Sequence, residues 1–218
     1  MSKPPPKPLD IRHPAQGPAP AVLVVHSWWG LTSAFVAIGE ALAQKGFVVG
    51  LADLFDGRTA SDSEEAKRLR SARRREPMYK SLIRNIHELQ GFTGVSKAEI
   101  GVVGFSMGGH WAVWLSQQPD LPISATVLYY AARAGDFSSS HSSFLAHYAE
   151  EDAWVSRASR RRMESEIAKA ERSYQAFDYP GTRHWFAEND REREYAPDAS
   201  KLAFARTVKH LQDVIGQG

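Results

Sequence analysis

Cysteine is absent from the 218 residues of this chain, and that absence removes disulfides, thiolate nucleophiles and cysteine-based zinc sites together. Neither sign of charge is in excess: 27 Lys and Arg face 25 Asp and Glu, a formal net charge of +2. So even a balance gives no electrostatic footprint for nucleic acid or for an anionic membrane. No apolar run approaches the ~20 residues that a transmembrane helix needs. Proline is scarce beyond residue 20, because seven of the twelve lie before that point. The opening Met1-Ser-Lys-Pro-Pro-Pro-Lys-Pro has charge but no apolar stretch behind it. That is not the layout of a secretory leader, so a cytoplasmic location is expected.

What is present reads as one globular domain behind a tail. Hydrophobic residues make up 43% and charged residues 24%, enough apolar material for a sizeable core at this length. Residues 1–19 are expected to form an extended, solvated, proline-rich tail with a short edge strand around Leu9–His13. Residues 20–218 alternate between strand and helix patterns. Ala21–Val25 is a continuous apolar run, as in a strand buried on both faces. Thr32 or Ser33 can cap a helix that places Phe35, Ile38 and Leu42 on one face and closes at Gly46. Further strands are expected at Phe47–Ala52, Glu99–Phe105, Ile123–Tyr130, Ser143–Ala149 and Tyr174–Tyr179. A last helix carries Phe204, Val208, Leu211 and Ile215 on one stripe. Such alternation implies a mostly parallel sheet with helices on both faces.

The chemistry centres on Gly104-Phe-Ser-Met-Gly108, a G-x-S-x-G sequence between an apolar strand pattern and a helix pattern. In such a nucleophile elbow the serine sits on a strained strand-to-helix turn with its hydroxyl exposed. The flanking glycines allow strand and helix to pass closely, and the Met107 N–H can receive an oxyanion. A serine hydroxyl needs a base. Of eight histidines, His184 directly follows the last expected strand, at the carboxyl-end edge where doubly wound sheets gather their chemistry. His26, His110, His147 and His210 read as structural or solvent-facing. The orienting acid lies among Glu150, Glu151 and Asp152; spacing does not separate them, and the short side chain of Asp152 favours it. A second oxyanion donor is expected from the loop His26-Ser-Trp-Trp-Gly30, with the Trp28 N–H leading. The order Ser106…Asp152…His184 is that of α/β-hydrolases.

Several spaced motifs resemble the dienelactone hydrolase family over roughly residues 20–214. They are His26-Ser-Trp-Trp-Gly-Leu, Gly46-Phe-Val-Val-Gly-Leu-Ala-Asp-Leu-Phe, Gly104-Phe-Ser-Met-Gly-Gly, Asp152-Ala-Trp-Val, Tyr179-Pro-Gly-Thr-Arg-His-Trp-Phe and Ala205-Arg-Thr. The resemblance implies a compact α/β-hydrolase fold without a large cap domain, and it selects Asp152 and Trp28 for their roles. The chain also departs from the family. Its founding members use a cysteine nucleophile where Ser106 stands, and they carry a glutamate at the position of Ser27. They bind a substrate carboxylate with an arginine where this chain has Glu188, and often have a small residue where it has Trp185. Founding members also begin with more sheet ahead of the first motif.

The expected activity is therefore cofactor-free and metal-free hydrolysis of small carboxylic esters or lactones through an acyl-enzyme at Ser106. His184 is the expected base, Asp152 the orienting acid, and the Met107 and Trp28 N–H groups the oxyanion hole. Trp29, Trp185 and Glu188 are expected at the substrate rim, where the acid would disfavour anionic substrates. The Arg-rich stretch 67–75 reads as a solvated helix face paired with Glu64 and Glu65. One arginine from it at the rim would reverse that preference. Alternatives are a non-catalytic binding protein on the same scaffold, and a thioesterase or acyltransferase using the same three residues. The sequence gives no oligomeric state.

Overall fold

A computed structural model describes residues 8–216 apart from residues 16 and 73. The first seven residues of the proline-rich segment and Arg73 of the Arg-rich stretch thus lie outside the described residues. In chain order the elements are β1 (Asp10–Arg12), β2 (Ala19–Val25), α1 (Ser33–Gln44), β3 (Val48–Ala52), α2 (Ser63–Ser71), α3 (Arg75–Gln90) and β4 (Val95–Phe105). They continue with α4 (Met107–Ser116), β5 (Ile123–Tyr129), β6 (Ser143–Glu151), α5 (Arg157–Lys169), β7 (Tyr174–Arg183) and α6 (Pro197–Ile215).

The strands form one sheet in the order β1-β3-β2-β4-β5-β6-β7. Every pairing is parallel except that of β1 with β3. Part of the expected tail is thus structural: Asp10–Arg12 edges the sheet, and β2 begins at Ala19. Period-two alternation sends side chains to two cores. Ala21, Leu23 and Val25 of β2 face the layer holding Leu82, Ile86, Ala112, Val113, Met163 and Ile167 of α3, α4 and α5. Val22 and Val24 face Phe35 and Leu42 of α1 and Leu211 and Ile215 of α6. The apolar runs are continuous because helices cover both faces of the sheet.

Glycine sets how closely α6 approaches. A methyl group on Gly101 in β4 would lie 2.7 Å from a Leu211 methyl and 3.1 Å from Ile215. Its absence lets the last helix seat on the middle of the sheet. The Arg-rich stretch is broken rather than continuous, since α2 ends at Ser71 and α3 starts at Arg75. Asp62 caps α2 by accepting from the Glu65 N–H, and Glu64 pairs with Lys67 at 2.6 Å. Among the described residues no helix is long and apolar enough to cross a membrane, and no acidic or histidine cluster is arranged to hold a metal.

Candidate functional site

Ser106 joins β4 to α4 with φ 52° and ψ −112°, a conformation that side chains rarely adopt. Strain of this kind costs about 1–3 kcal/mol and persists only where the surroundings enforce it. Here they do. The Ser106 N–H donates to the Tyr129 carbonyl at 2.9 Å, and its own carbonyl accepts from Gly109 at 3.0 Å. A Cβ on Gly104 would meet the Gly108 carbonyl oxygen at 2.4 Å, and one on Gly108 would meet that of Val25 at 2.1 Å. Both glycines of the motif are therefore required by close backbone contact. Met107, as the first residue of α4, has one of the N–H groups that lack an intrahelical acceptor.

His184 follows the last residue of β7, and its Nε2 lies 2.8 Å from Ser106 Oγ. Its Nδ1 lies 2.9 and 2.8 Å from the two carboxylate oxygens of Asp152. A proton on Nδ1 satisfies Asp152 and leaves Nε2 free to accept the serine proton. Asp152 sits just past β6 and also accepts the N–H groups of Trp154 and Val155, at 2.8 and 2.9 Å. The neighbouring acids point elsewhere: Glu150 accepts from the Gly181 N–H, and Glu151 pairs with Arg183 near solvent. Ser106, His184 and Asp152 thus meet, although 46 and 32 residues part them in sequence order.

Trp154 and Trp185 stand beside His184, and Trp28 and Trp29 pack on them. The Trp28 and Trp185 rings stack with centroids 5.9 Å apart, and Trp154 meets Trp28 at 5.1 Å. Trp185 lies edge-on to the His184 ring at 4.9 Å. Trp29 does not reach the rim expected for it: it is buried, with the Arg191 guanidinium 4.3 Å over its ring. The most open indole is Trp154, 58% exposed, which sequence reading passed over as part of a motif.

Glu188 also departs from its expected place. It is fully buried, accepting from Ser27 Oγ and from the Tyr130 hydroxyl, each at 2.8 Å. Burial, its largest influence, pushes its pKa up to about 8, against the two hydroxyl hydrogen bonds that lower it. A buried acid held this way cannot meet a substrate at the rim. His26, read as structural, is so: its Nδ1 bonds the Ser27 carbonyl, and its Nε2 accepts the Leu54 N–H at 3.1 Å.

A cavity of about 470 Å³ has Met107 in its lining. Arg70 of α2, Arg75 of α3 and Arg133 beyond β5 line it with His110, Tyr79 and Trp111, and no carboxylate does. Arg133 is anchored to the His110 carbonyl at 3.0 Å. Tyr79 is fixed by stacking on Trp114 at 3.9 Å. The buried Trp111 N–H has no acceptor among the described residues. Arg70 and Arg75 both reach it because the Arg-rich stretch breaks between α2 and α3, and Arg133 joins them from the segment after β5.

A family model described as the dienelactone hydrolase family matches residues 11–215. "Protein usf" of Aquifex pyrophilus is 26% identical over 206 residues, covering 90% of this chain and 89% of that protein. A Bradyrhizobium protein described as a probable 2-oxo-3-(5-oxofuran-2-ylidene)propanoate lactonase is 23% identical over 210 residues, covering 90% and 84%. Among solved structures, a putative dienelactone hydrolase from Klebsiella pneumoniae superposes with a TM-score of 0.77 at 19% identity, over 90% of this chain and 88% of that one.

Proposed function

The chain belongs to the dienelactone hydrolase family, and from that premise we propose that it hydrolyses small carboxylic esters or lactones through an acyl-enzyme on Ser106. The observation that carries this reading is the relay from Ser106 Oγ to His184 Nε2 at 2.8 Å and from His184 Nδ1 to Asp152 at 2.8 Å. Ser106 Oγ attacks the ester carbonyl as His184 Nε2 takes its proton. The carbonyl π pair moves to oxygen, and the Met107 and Trp28 N–H groups stabilise that oxyanion. One such donor is typically worth about 3–4 kcal/mol of barrier. Collapse expels the alkoxide, which takes the proton from His184. Water, deprotonated by the same imidazole, then releases the acid and restores Ser106. In a lactone, the alcohol and the acid leave as one molecule.

The cavity, whose lining includes Met107 next to Ser106, supports a substrate bearing a negative charge. Arg70, Arg75 and Arg133 line it without any acid, and Glu188 is not exposed to repel an anion. This reverses the preference for neutral esters expected from the sequence. The Bradyrhizobium relative, described as acting on a propanoate-bearing lactone, points the same way. Hydrogen bonds to a charged group contribute about 1.5–3 kcal/mol, or roughly 10- to 100-fold in affinity.

The test is a matched pair of short-chain esters, one with a free carboxylate on the acyl chain and one neutral, assayed on the wild type and on Ser106→Ala. The wild type should favour the anionic ester in kcat/KM, and Ser106→Ala should hydrolyse neither. Hydrolysis by Ser106→Ala at the wild-type rate would overturn the mechanism; a neutral preference would overturn the substrate class alone.

A further inference from the structure

The buried acid at position 188 has no place in the serine mechanism, yet it touches both halves of the site. Its Oε2 accepts from Ser27 Oγ, one residue before Trp28. Its Oε1 accepts from the hydroxyl of Tyr130, whose ring lies 4.9 Å from the His184 ring. The backbone of residue 188 is fixed to the histidine loop as well, because its N–H donates to the Trp185 carbonyl at 2.9 Å. Both residues that flank this arrangement at the histidine are strained. Tyr130 has φ 39° and Trp185 has φ 72°, so three of the five non-glycine positive-φ residues among those described, with Ser106, belong to one site. Such conformations need a surrounding structure that enforces them.

We propose that Glu188 is a positioning residue, a buried clasp that holds the loop carrying the Trp28 N–H and the Tyr130 ring behind His184 in one fixed relation. This role rests on the serine-hydrolase reading of the site. Filling the space alone would not call for an ionisable group, since burying a carboxyl without an ion pair disfavours its charged form. The two hydroxyls are instead what the carboxyl serves. The titratable and charged groups that act on it are Tyr130, just past the end of β5, and Asp190 and Arg191 from its own segment.

The clasp has two protonation states. With its pKa raised to about 8 by burial, the carboxyl carries a proton at neutral pH and must donate it to one of the two hydroxyls. Above that pH both hydroxyls donate to a carboxylate. The change reorients hydroxyl protons on both sides of the reacting carbonyl, so turnover acquires an alkaline inflection near pH 8 that belongs to position 188.

Glu188→Gln mimics the protonated carboxyl, with one acceptor oxygen and one donor, but cannot ionise. Kinetics over pH 6–10 should therefore keep its kcat within a few-fold of the wild-type value below pH 7 and its KM within about twofold, while the inflection near pH 8 vanishes. Glu188→Ala, which releases both hydroxyls, should lower kcat on the order of 10- to 100-fold at unchanged KM, as expected when reacting groups are misplaced. An inflection that persists in Glu188→Gln, or wild-type kcat in Glu188→Ala, would overturn the proposal. If either variant fails to fold, Ser27→Ala and Tyr130→Phe, each removing one arm, decide instead: a lowered kcat at unchanged KM supports the clasp, and wild-type kcat in both overturns it. Fluorophosphonate labelling of the wild type runs in parallel. A wild type that neither labels nor hydrolyses esters refutes the serine mechanism, and the clasp with it, whereas a wild type that does both isolates any failure to Glu188.

Discussion

Ser27 and Glu188 lie 161 residues apart and share a hydrogen bond of 2.8 Å in the buried floor of the site. They are the two positions at which the sequence departs from its resemblance by exchanging a glutamate for a hydroxyl and an arginine for an acid. The two departures meet in one contact. An acid stands on the other side of the same contact, and the anion-binding charge proposed for this site comes from Arg70 of α2, Arg75 of α3 and Arg133 after β5.

That placement predicts where substrate charge is read. Arg75→Ala should raise KM for an anionic short-chain ester by about tenfold, the loss of one charge-assisted contact, and leave the matched neutral ester within about twofold. Steady-state kinetics on both esters checks this. Equal losses on the two would assign Arg75 to folding rather than to the substrate.

Asp152→Asn should lower kcat by roughly 10⁴, the effect known for the corresponding change in the best-studied serine triad, through loss of the productive imidazole tautomer. Glu150→Gln and Glu151→Gln should stay within a few-fold, because their carboxylates bond Gly181 and Arg183 instead of His184. Turnover of the three variants on one ester separates the roles.

Most of the scaffold was legible because buried parallel strands advertise themselves as unbroken apolar runs. β2, β3, β5 and β6 fall within a few residues of their expected bounds. Helix α5 was not, since its Arg- and Glu-rich surface leaves only Met163 and Ile167 buried. The break between α2 and α3 was hidden inside a uniform arginine run, so the cationic cavity could not be read from the chain. Ser106, His184 and Asp152 were readable as motifs at strand ends. Glu188 was misplaced because a charged residue four positions after the base looks solvent-facing until Ser27 and Tyr130 are seen to enclose it. Trp154 looks like any loop aromatic until its N–H is found on Asp152.

Gly108→Ala should destabilise the fold by about 3 kcal/mol or more, since its methyl would overlap the Val25 carbonyl oxygen at 2.1 Å. Thermal melting measures the loss. A wild-type melting temperature would mean that α4 can shift away from β2 without cost.

Stability should depend on pH with two opposing signs. Burial lowers the pKa of His26 from 6.5 to about 4 and that of His147 to about 3. Below pH 6.5 the unfolded chain therefore binds protons that the folded chain refuses, and stability falls as pH drops toward 4 and 3. Glu188, raised from 4.5 to about 8, contributes stability that is full below pH 4.5 and lost as pH rises through 8. His110 and His210 are lowered by burial as well, so between pH 4.5 and 6.5 four histidines oppose one acid and the acid-side loss should dominate there. Urea unfolding from pH 4 to 9 should show a maximum near neutrality, and Glu188→Gln should flatten the alkaline limb and steepen the acid one.

Intact-mass measurement after incubation with a fluorophosphonate tests the nucleophile most directly, because the reagent phosphonylates an activated serine hydroxyl with loss of fluoride and leaves ordinary serines unmodified. Wild-type protein should gain one adduct, mapped by peptide fragmentation to Ser106, and Ser106→Ala should gain none. Folded wild-type protein that remains unlabelled, or an adduct that persists in Ser106→Ala, would contradict the account.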